Sequence, residues 1–504
     1  MIGISHTPSQ TRISLLAGVL SGGLLVLAMP KPDFGILAYL CLIPALALLP
    51  GAGRSRMLLI GGAAGIISSA GKIYWIAETL ANYGGLSLAV GALSTVLLIL
   101  YLSLYVVAFC WLVSRLDPSS LFFPWFCAAI WVTLEWLQGH LLTGFPWMLL
   151  GYTQHRMLPI LQTARIWGVY GVGFLIVLVN GSIASLQIAG RSAWRGAIAP
   201  ALLLLLALFY GLSELNAPPS KHVLKIGIVQ GSIPQGEKWR TDVRDGTVER
   251  YVKMTRQLAG ARCDFIVLPE TAFPFYFRGP ENAPYYAALT GLARELETPM
   301  LVGSLERTEG QIYNRTFLIS RTGEVVGHQD KVHLVPFGEY LPFEWIFGYL
   351  EGLTRESGRF APGQAHRALR LPEKGVPFGV FICYESIFPE IARAYANDGA
   401  EFLVNATNDA WFGTTAAPYQ HFAMGVFRAV ENGLPLVRAA NTGISGAVDA
   451  SGHILARTGL FEPAVFTAQI APRGERTFYT RHGDLLVALC AILTAVALFY
   501  RRER

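Results

Sequence analysis

The sequence predicts two structural classes in one chain: an α-helical multi-span membrane domain, and an α/β domain exported beside it. Three observations carry this reading. Apolar residues make up 53% of the 504 residues and charged residues only 15%, with a mean hydropathy of +0.42, whereas a soluble globular chain carries about 25% charged residues. The deficit is uneven: residues 1–213 hold most of the apolar runs, 217–480 have an ordinary soluble composition, and 485–500 are apolar again. Within 217–480, short β-rich runs alternate with helical segments, the pattern of an α/β layered fold. The net charge of +6 is modest, and the absence of a basic block with interleaved aromatics argues against a nucleic-acid partner.

A bilayer core of about 30 Å needs roughly 20 apolar residues per helix. Seven candidates precede the α/β part, at about 13–29, 35–49, 57–76, 86–113, 121–142, 160–188 and 197–212, and an eighth lies at 485–500. The second is short and interrupted by Pro44. Six further apolar runs after the first make a cleaved signal peptide a poor reading. Orientation follows from Lys and Arg in the short loops. With a cytoplasmic N-terminus, nine basic residues fall inside (Arg12, Arg54, Arg56, Arg115, Arg191, Arg195, Arg501, Arg502 and Arg504) and two outside, Lys31 and Arg156. Seven crossings export residues 217–480, and the eighth returns the C-terminus to the cytoplasm. The expected domains are 1–216, 217–480 and 481–504, with Asn216-Ala217-Pro218-Pro219-Ser220 as linker. Lys72 and Glu135 stand out, because a charge in an apolar span costs about 2.5–3.5 kcal/mol; snorkelling of Lys72 to an interface and a functional role weigh equally. Thr143-Gly144-Phe145-Pro146-Trp147 reads as an aromatic belt at the outer interface.

In the exported part, strands are expected at 223–229, 265–268, 300–303, 316–320, 324–326, 378–382, 402–405, 436–439, 446–449 and 464–470, and helices at 247–259, 283–296, 389–396 and 419–432. Three chemically capable residues stand just after strands, where α/β folds gather active groups. Glu270 follows the run 265–269, Lys331 follows 323–330, and Cys383 ends the apolar run 376–382. Cys383 then precedes a helical segment beginning at Pro389, and a helix N-terminus favours a thiolate. A carboxylate, an amine and a thiol in these places form a nucleophilic set: Glu takes the thiol proton, Cys attacks a carbonyl, and Lys stabilises the oxyanion. Singly, each has a structural alternative of equal weight, including a buried inert cysteine. His421 and His333 have no partner at zinc-ligand spacing, and no Gly-rich phosphate loop occurs; neither a metal nor another cofactor is expected.

Leu268-Pro269-Glu270, then Lys331-Val332-His333-Leu334-Val335-Pro336-Phe337-Gly338-Glu339, then Cys383-Tyr384-Glu385, together resemble the nitrilase superfamily. Over its full length the chain resembles that superfamily's apolipoprotein N-acyltransferase branch. The features that carry the second resemblance are the eight apolar runs, Thr143-Gly144-Phe145-Pro146-Trp147, Ile233-Pro234-Gln235 with Lys238-Trp239, Tyr313-Asn314, and Asn408-Asp409-Ala410-Trp411-Phe412-Gly413. The resemblance implies a four-layer α-β-β-α sandwich with a Glu270, Lys331 and Cys383 triad. It makes Cys383 the acylated nucleophile, Glu270 the general base and Lys331 the group that steadies the tetrahedral intermediate. Glu339 would support the triad, Tyr384 and Glu385 would flank the nucleophile, and Trp239, Asn314 and Trp411 would face the substrate.

The implied reaction moves an acyl chain from a phospholipid onto Cys383, then onto the free α-amino group of a diacylglyceryl-cysteine at an apolipoprotein N-terminus. The partners would be phospholipid, apolipoprotein and the bilayer, the setting a bacterial inner membrane with the catalytic domain in the periplasm, and the state a monomer. The thioester must be shielded from water. Two aromatic segments, 273–277 and 341–350, the latter with Phe343, Trp345 and Phe347, are expected to act as mobile arms dipping into the outer leaflet, with core packing as the alternative. Of the six cysteines, Cys41, Cys110, Cys127 and Cys490 lie in spans; a bridge between the exported Cys263 and Cys383 would refute the mechanism. Two other classes fit less of the chain: a membrane-tethered amidase, and a transporter or receptor with a silent exported domain.

Overall fold

The computed structural model describes residues 8–83, 87–216, 222–340 and 360–499. The expected linker residues 217–220, the aromatic segment 341–350 and the tail from 500 lie outside them. The chain divides into two units, one comprising 1–77, 92–216 and 482–504, the other 78–91 and 217–481.

The first unit is helical. By length and composition, Pro8–Ala28, Leu88–Val113 and the run Ala164–Leu215 can cross a membrane, and Arg54–Ile73 with Trp75–Tyr83, bent by 43°, makes a fourth if taken as one span. Phe123–His140 and Leu485–Phe499 occupy the expected fifth and eighth positions. Small residues allow close helix approach: a Cβ on Gly18 or Gly22 would meet the Ile60 or Ala64 carbonyl oxygen at 2.5 or 2.8 Å. The second expected span is not a helix of spanning length. It forms a 3-10 turn, Gly35–Tyr39, and a single α-turn, Ile43–Leu46, with Pro44 at its start. Irregular backbone at membrane depth must be satisfied inside the protein. Buried Asn180 does this, taking the Leu42 N–H at 2.9 Å and giving Nδ2 to the Ala38 carbonyl at 2.9 Å, while Ser21 Oγ takes the Ala45 N–H at 3.0 Å.

The loop read as an aromatic belt is instead enclosed. Trp147 is 1% exposed and packs 4.8 Å from the Trp75 ring. Its approach turn runs through Gly144 at φ +79°, where a Cβ would strike the Gly139 carbonyl. Lys72 and Glu135 are buried and line a pocket of about 380 Å³ with Ser68, Ser69, Tyr105 and Gln138.

The second unit carries two sheets. The strands are β1 (Leu224–Gln230), β2 (Phe265–Val267), β3 (Phe273–Tyr276), β4 (Met300–Thr308), β5 (Gln311–Ile319), β6 (Val325–Asp330), β7 (Leu369–Arg370), β8 (Pro377–Ile382), β9 (Phe402–Thr407), β10 (Leu436–Ala440), β11 (Gly446–Val448), β12 (Ile454–Arg457) and β13 (Ala464–Ile470). One sheet runs β13-β1-β2-β4-β5-β6 with β3 also on β4; the other runs β12-β11-β10-β9-β8-β7. β1, β2 and β4 are parallel, as are β8, β9 and β10.

Strand alternation makes the layers. Ile226, Ile228, Val267 and Leu301 of the first sheet meet Phe378, Val380, Ile382, Val404 and Val437 of the second in one core. The first sheet's other face, with Ile266 and Val302, packs on Val248, Tyr251, Leu289 and Leu292 from helices Arg244–Arg256 and Ala283–Glu295. Over the second sheet, Tyr395 of helix Pro389–Asn397 gives its hydroxyl to the Val380 carbonyl at 2.7 Å. The result is the expected α-β-β-α sandwich. A further expectation fails. Segment 273–277 is core, not an arm: Phe273, Phe275 and Phe277 are 0%, 3% and 0% exposed, because β3 hydrogen-bonds along β4 and turns these rings into the helix-covered face.

Candidate active site

Glu270 and Lys331 stand just beyond the ends of β2 and β6, and Cys383 directly follows β8. β2 and β6 run the same way, since β6 is antiparallel to β5 and β5 to β4. The Glu270 turn lies tight on β4. Gly303 permits this, as a Cβ there would come within 2.2 Å of the Pro269 carbonyl and 2.6 Å of the Thr271 nitrogen. Cys383 has φ 55° and Thr271 φ 40°, left-handed values that cost a non-glycine residue about 1–3 kcal/mol and persist only where the surroundings enforce them. The strain lies at the thiol and beside the carboxylate.

Lys331 Nζ donates to Glu339 Oε1 at 2.8 Å and to Glu270 Oε1 at 3.3 Å. Asn314 Nδ2 spans the same two oxygens, at 2.7 Å from Glu270 and 3.4 Å from Glu339. Glu339 Oε2 takes the Val335 N–H at 2.8 Å. The ammonium is therefore held between two carboxylates. Burial disfavours its charge, but Glu270 and Glu339 outweigh burial and raise its pKa. Burial also raises Glu339, and the Glu270 carboxylate adds to this, although Lys331 pulls the other way.

The thiol departs from expectation. Burial and then the Glu270 carboxylate push Cys383 up to about 12, with Lys331 opposing. The resting group is a thiol, because desolvation outweighs any help from the short helical turn Cys383–Ile387 that it opens. All six cysteines are free.

Glu385 ties two of these loops together. Its Oε1 takes the Val332 N–H at 2.7 Å and the His333 N–H at 3.0 Å and lies 3.2 Å from His366 Nε2, while Oε2 takes the Ile382 N–H at 2.7 Å. Tyr384 packs edge-on against Phe388 and beside His333. Trp239, Asn314 and Trp411 line an open pocket of about 320 Å³ with Glu270, Glu339 and Asn408. Residues 78–83 reach the same wall: Thr79 Oγ1 donates to the Trp411 carbonyl at 2.8 Å, and the Tyr83 ring lies 5.7 Å from the Trp411 ring. Phe343 and Trp345 lie outside the described residues.

Beneath the nucleophile is a buried network that sequence reasoning missed. His421 Nε2 lies 3.2 Å from the Cys383 carbonyl and 2.7 Å from Ser386 Oγ, and Nδ1 lies 2.9 Å from Asp409 Oδ1. Arg438 donates to Asp409 Oδ2 at 2.6 Å and to Asn405 Oδ1. Burial opposes the charge of Asp409, yet Arg438 and His421 hold its carboxyl well below the usual range. His421 is depressed by burial and Arg438. Lys238, in the stretch 233–239, is 2% exposed, with Nζ 3.2 Å from the Glu270 carbonyl oxygen.

A carbon-nitrogen hydrolase family model matches residues 225–478, and a model of the apolipoprotein N-acyltransferase N-terminal domain matches 21–182. The apolipoprotein N-acyltransferase of Geobacter metallireducens is 40% identical over 98% of this chain and 96% of its own. The chain belongs to the apolipoprotein N-acyltransferase family. Proteins of the same name from Methylococcus capsulatus and Vibrio cholerae are each 33% identical over 97% of both chains. The hydrolase match runs from β1 past β13, the sandwich that carries Glu270, Lys331 and Cys383, and the N-terminal match falls on the apolar helices. Membership of this acyltransferase family makes the chain an enzyme.

Proposed function

We propose that this chain moves an acyl group from a membrane phospholipid, through a thioester on Cys383, to the α-amino group of the diacylglyceryl-cysteine that begins an apolipoprotein. The observation that supports it best is the fixed ammonium of Lys331 between Glu270 and Glu339, beside a strained, buried Cys383. In the first half-reaction Glu270 takes the thiol proton as sulfur attacks the ester carbonyl. A thiol at about pKa 12 needs such a base in the same step. Lys331, held in place before reaction, stabilises the oxyanion. Glu270 then protonates the departing lysophospholipid oxygen. In the second half-reaction the acceptor nitrogen attacks the thioester, the C–S bond breaks, and the proton returns to sulfur through Glu270. Glu339 keeps Lys331 in register, Tyr384 and Glu385 hold the nucleophile's turn, and Trp239, Asn314 and Trp411 receive substrate.

In this reading the helices at 1–216 and 485–499 anchor the enzyme in the bacterial inner membrane as a monomer, and 217–480 stand on the periplasmic side with both termini cytoplasmic. The basic residues of the short loops support that orientation. The test is mass spectrometry of the Cys383 peptide after incubation with phospholipid. An acyl adduct discharged by a diacylglyceryl-cysteine peptide with a free amine supports the transfer. An adduct discharged equally fast by water makes the enzyme a lipid hydrolase, and no adduct on a free thiol removes phospholipid as donor.

A further inference from the structure

Lys238 ends the short helix Gln235–Lys238. The start of that helix is anchored by Asn408 Nδ2 on Gln235 Oε1 at 2.8 Å, and Asn441 grips both the Ile233 N–H and its carbonyl. The lysine is as buried as Lys331 but differently partnered. Lys331 lies against two carboxylates. Among the described residues, Lys238 Nζ has one hydrogen-bond partner, the Glu270 carbonyl oxygen, and no carboxylate within ion-pair distance. Buried ammonium groups are normally paired, because an unpaired one is costly. An amine held this way is suited to exist uncharged.

Lys238 lies just behind the pocket described above, whose wall is formed by its chain neighbour Trp239 and its hydrogen-bond partner Glu270. That pocket presents the carboxylates of Glu270 and Glu339 and two tryptophans. It also presents Asn314, whose Oδ1 is buried with no hydrogen-bond partner among the described residues. Such walls suit a positively charged amine. The proposed transfer has a step that the triad leaves unassigned. An α-amino group arrives largely as ammonium, with a pKa of about 8, and must lose one proton before its nitrogen can attack. Glu270 handles only the second proton, the one that passes to sulfur.

We propose that Lys238 Nζ takes the proton that the acceptor's α-ammonium must lose before attacking the thioester. This inference rests on the transfer proposed above. The proton passes from the ammonium to neutral Lys238. The free amine then forms the C–N bond as the C–S bond breaks, its second proton reaches Cys383 Sγ through Glu270, and Lys238 releases its own proton to water. Burial lowers Lys238 to about 8 against the Glu270 carboxylate and, when it is ionised, the Cys383 sulfur, the titratable groups that act on it. Donor and acceptor are thus matched, the condition under which general-base catalysis is efficient.

The test separates the half-reactions in the full-length enzyme, using K238M and K238R. Cys383 acylation by phospholipid should stay near wild type in both. Discharge by a diacylglyceryl-cysteine peptide at pH 7 should slow by up to about tenfold, since about a tenth of an α-amino group of pKa about 8 is already uncharged there. K238M should recover as pH rises and bulk water deprotonates the acceptor. Hydroxylamine, which is uncharged at neutral pH, should discharge both variants at the wild-type rate. Discharge by the peptide at the wild-type rate in either variant, or an equal loss with peptide and hydroxylamine, would overturn the proposal. Loss of acylation in K238M with normal discharge in K238R would also do so. Absence of an adduct in the wild-type enzyme would instead count against the transfer itself.

Discussion

At the scale of single residues, the site is organised by desolvation. The Glu270 charge raises the Cys383 thiol, so its removal should make the sulfur more acidic while removing the base. E270Q should therefore react several-fold faster than wild type with iodoacetamide at pH 9, yet lose about a hundredfold or more in acyl transfer. Slower alkylation would show that Glu270 activates the thiol even toward a small electrophile. His333, together with His421, is one of the groups that make folding depend on pH. Burial holds its pKa near 4, with Glu385 opposing and Lys331 adding to the shift. A depressed folded pKa stabilises the protein fully above the ordinary value of 6.5, and that contribution is lost as pH falls toward 4. Thermal melts of the detergent-solubilised enzyme should show a Tm that falls through this window, and H333F, which keeps the ring packing on Phe388 at 3.9 Å, should make the fall shallower, His421 accounting for part of the rest.

At the scale of elements, the site depends on loops from different sheets being held in register, and Glu385 is the clamp. E385A leaves the Ile382, Val332 and His333 N–H groups without their acceptor, at a cost of about 3 kcal/mol or more. A lower Tm together with loss of the Cys383 adduct is expected, and an unchanged Tm would mean that the clamp is dispensable. Much of this level was legible in the sequence. Strands that end at Glu270, Lys331 and Cys383 could be read because apolar runs stop at a chemically distinct residue. The run 273–277 could not, because an aromatic stretch holding Pro274 reads as a loop until β4 is present to pair with it. The Asp409, His421 and Arg438 network was invisible for a related reason. Its members come from a turn, a helix and a strand, and a lone histidine carries no spacing signal. Lys238 looked like one residue of a motif, since burial without a counter-ion is a property of the fold alone.

At the scale of the whole molecule, the two units obey different solvent rules, and the sequence separated them by composition. The proposed topology can be tested with single cysteines at exposed positions. A membrane-impermeant maleimide should label T308C in spheroplasts, and S192C only after permeabilisation. The reverse pattern would invert the assignment. The expectation of eight similar spans was too uniform, because hydropathy counts apolar residues and is blind to hydrogen bonds supplied from elsewhere in the chain.

The second apolar segment shows what that dependence means for a protein made from its N-terminus onward. The Leu42 N–H is satisfied by Asn180, 138 residues later. Residues 35–49 are made long before that partner, and until then the Leu42 N–H and the Ala38 carbonyl lack the side chain that satisfies them. This stretch should be the last part of the helical unit to settle. A nascent chain stalled before residue 180 should expose it to membrane quality-control proteases, and one stalled after residue 215 should not.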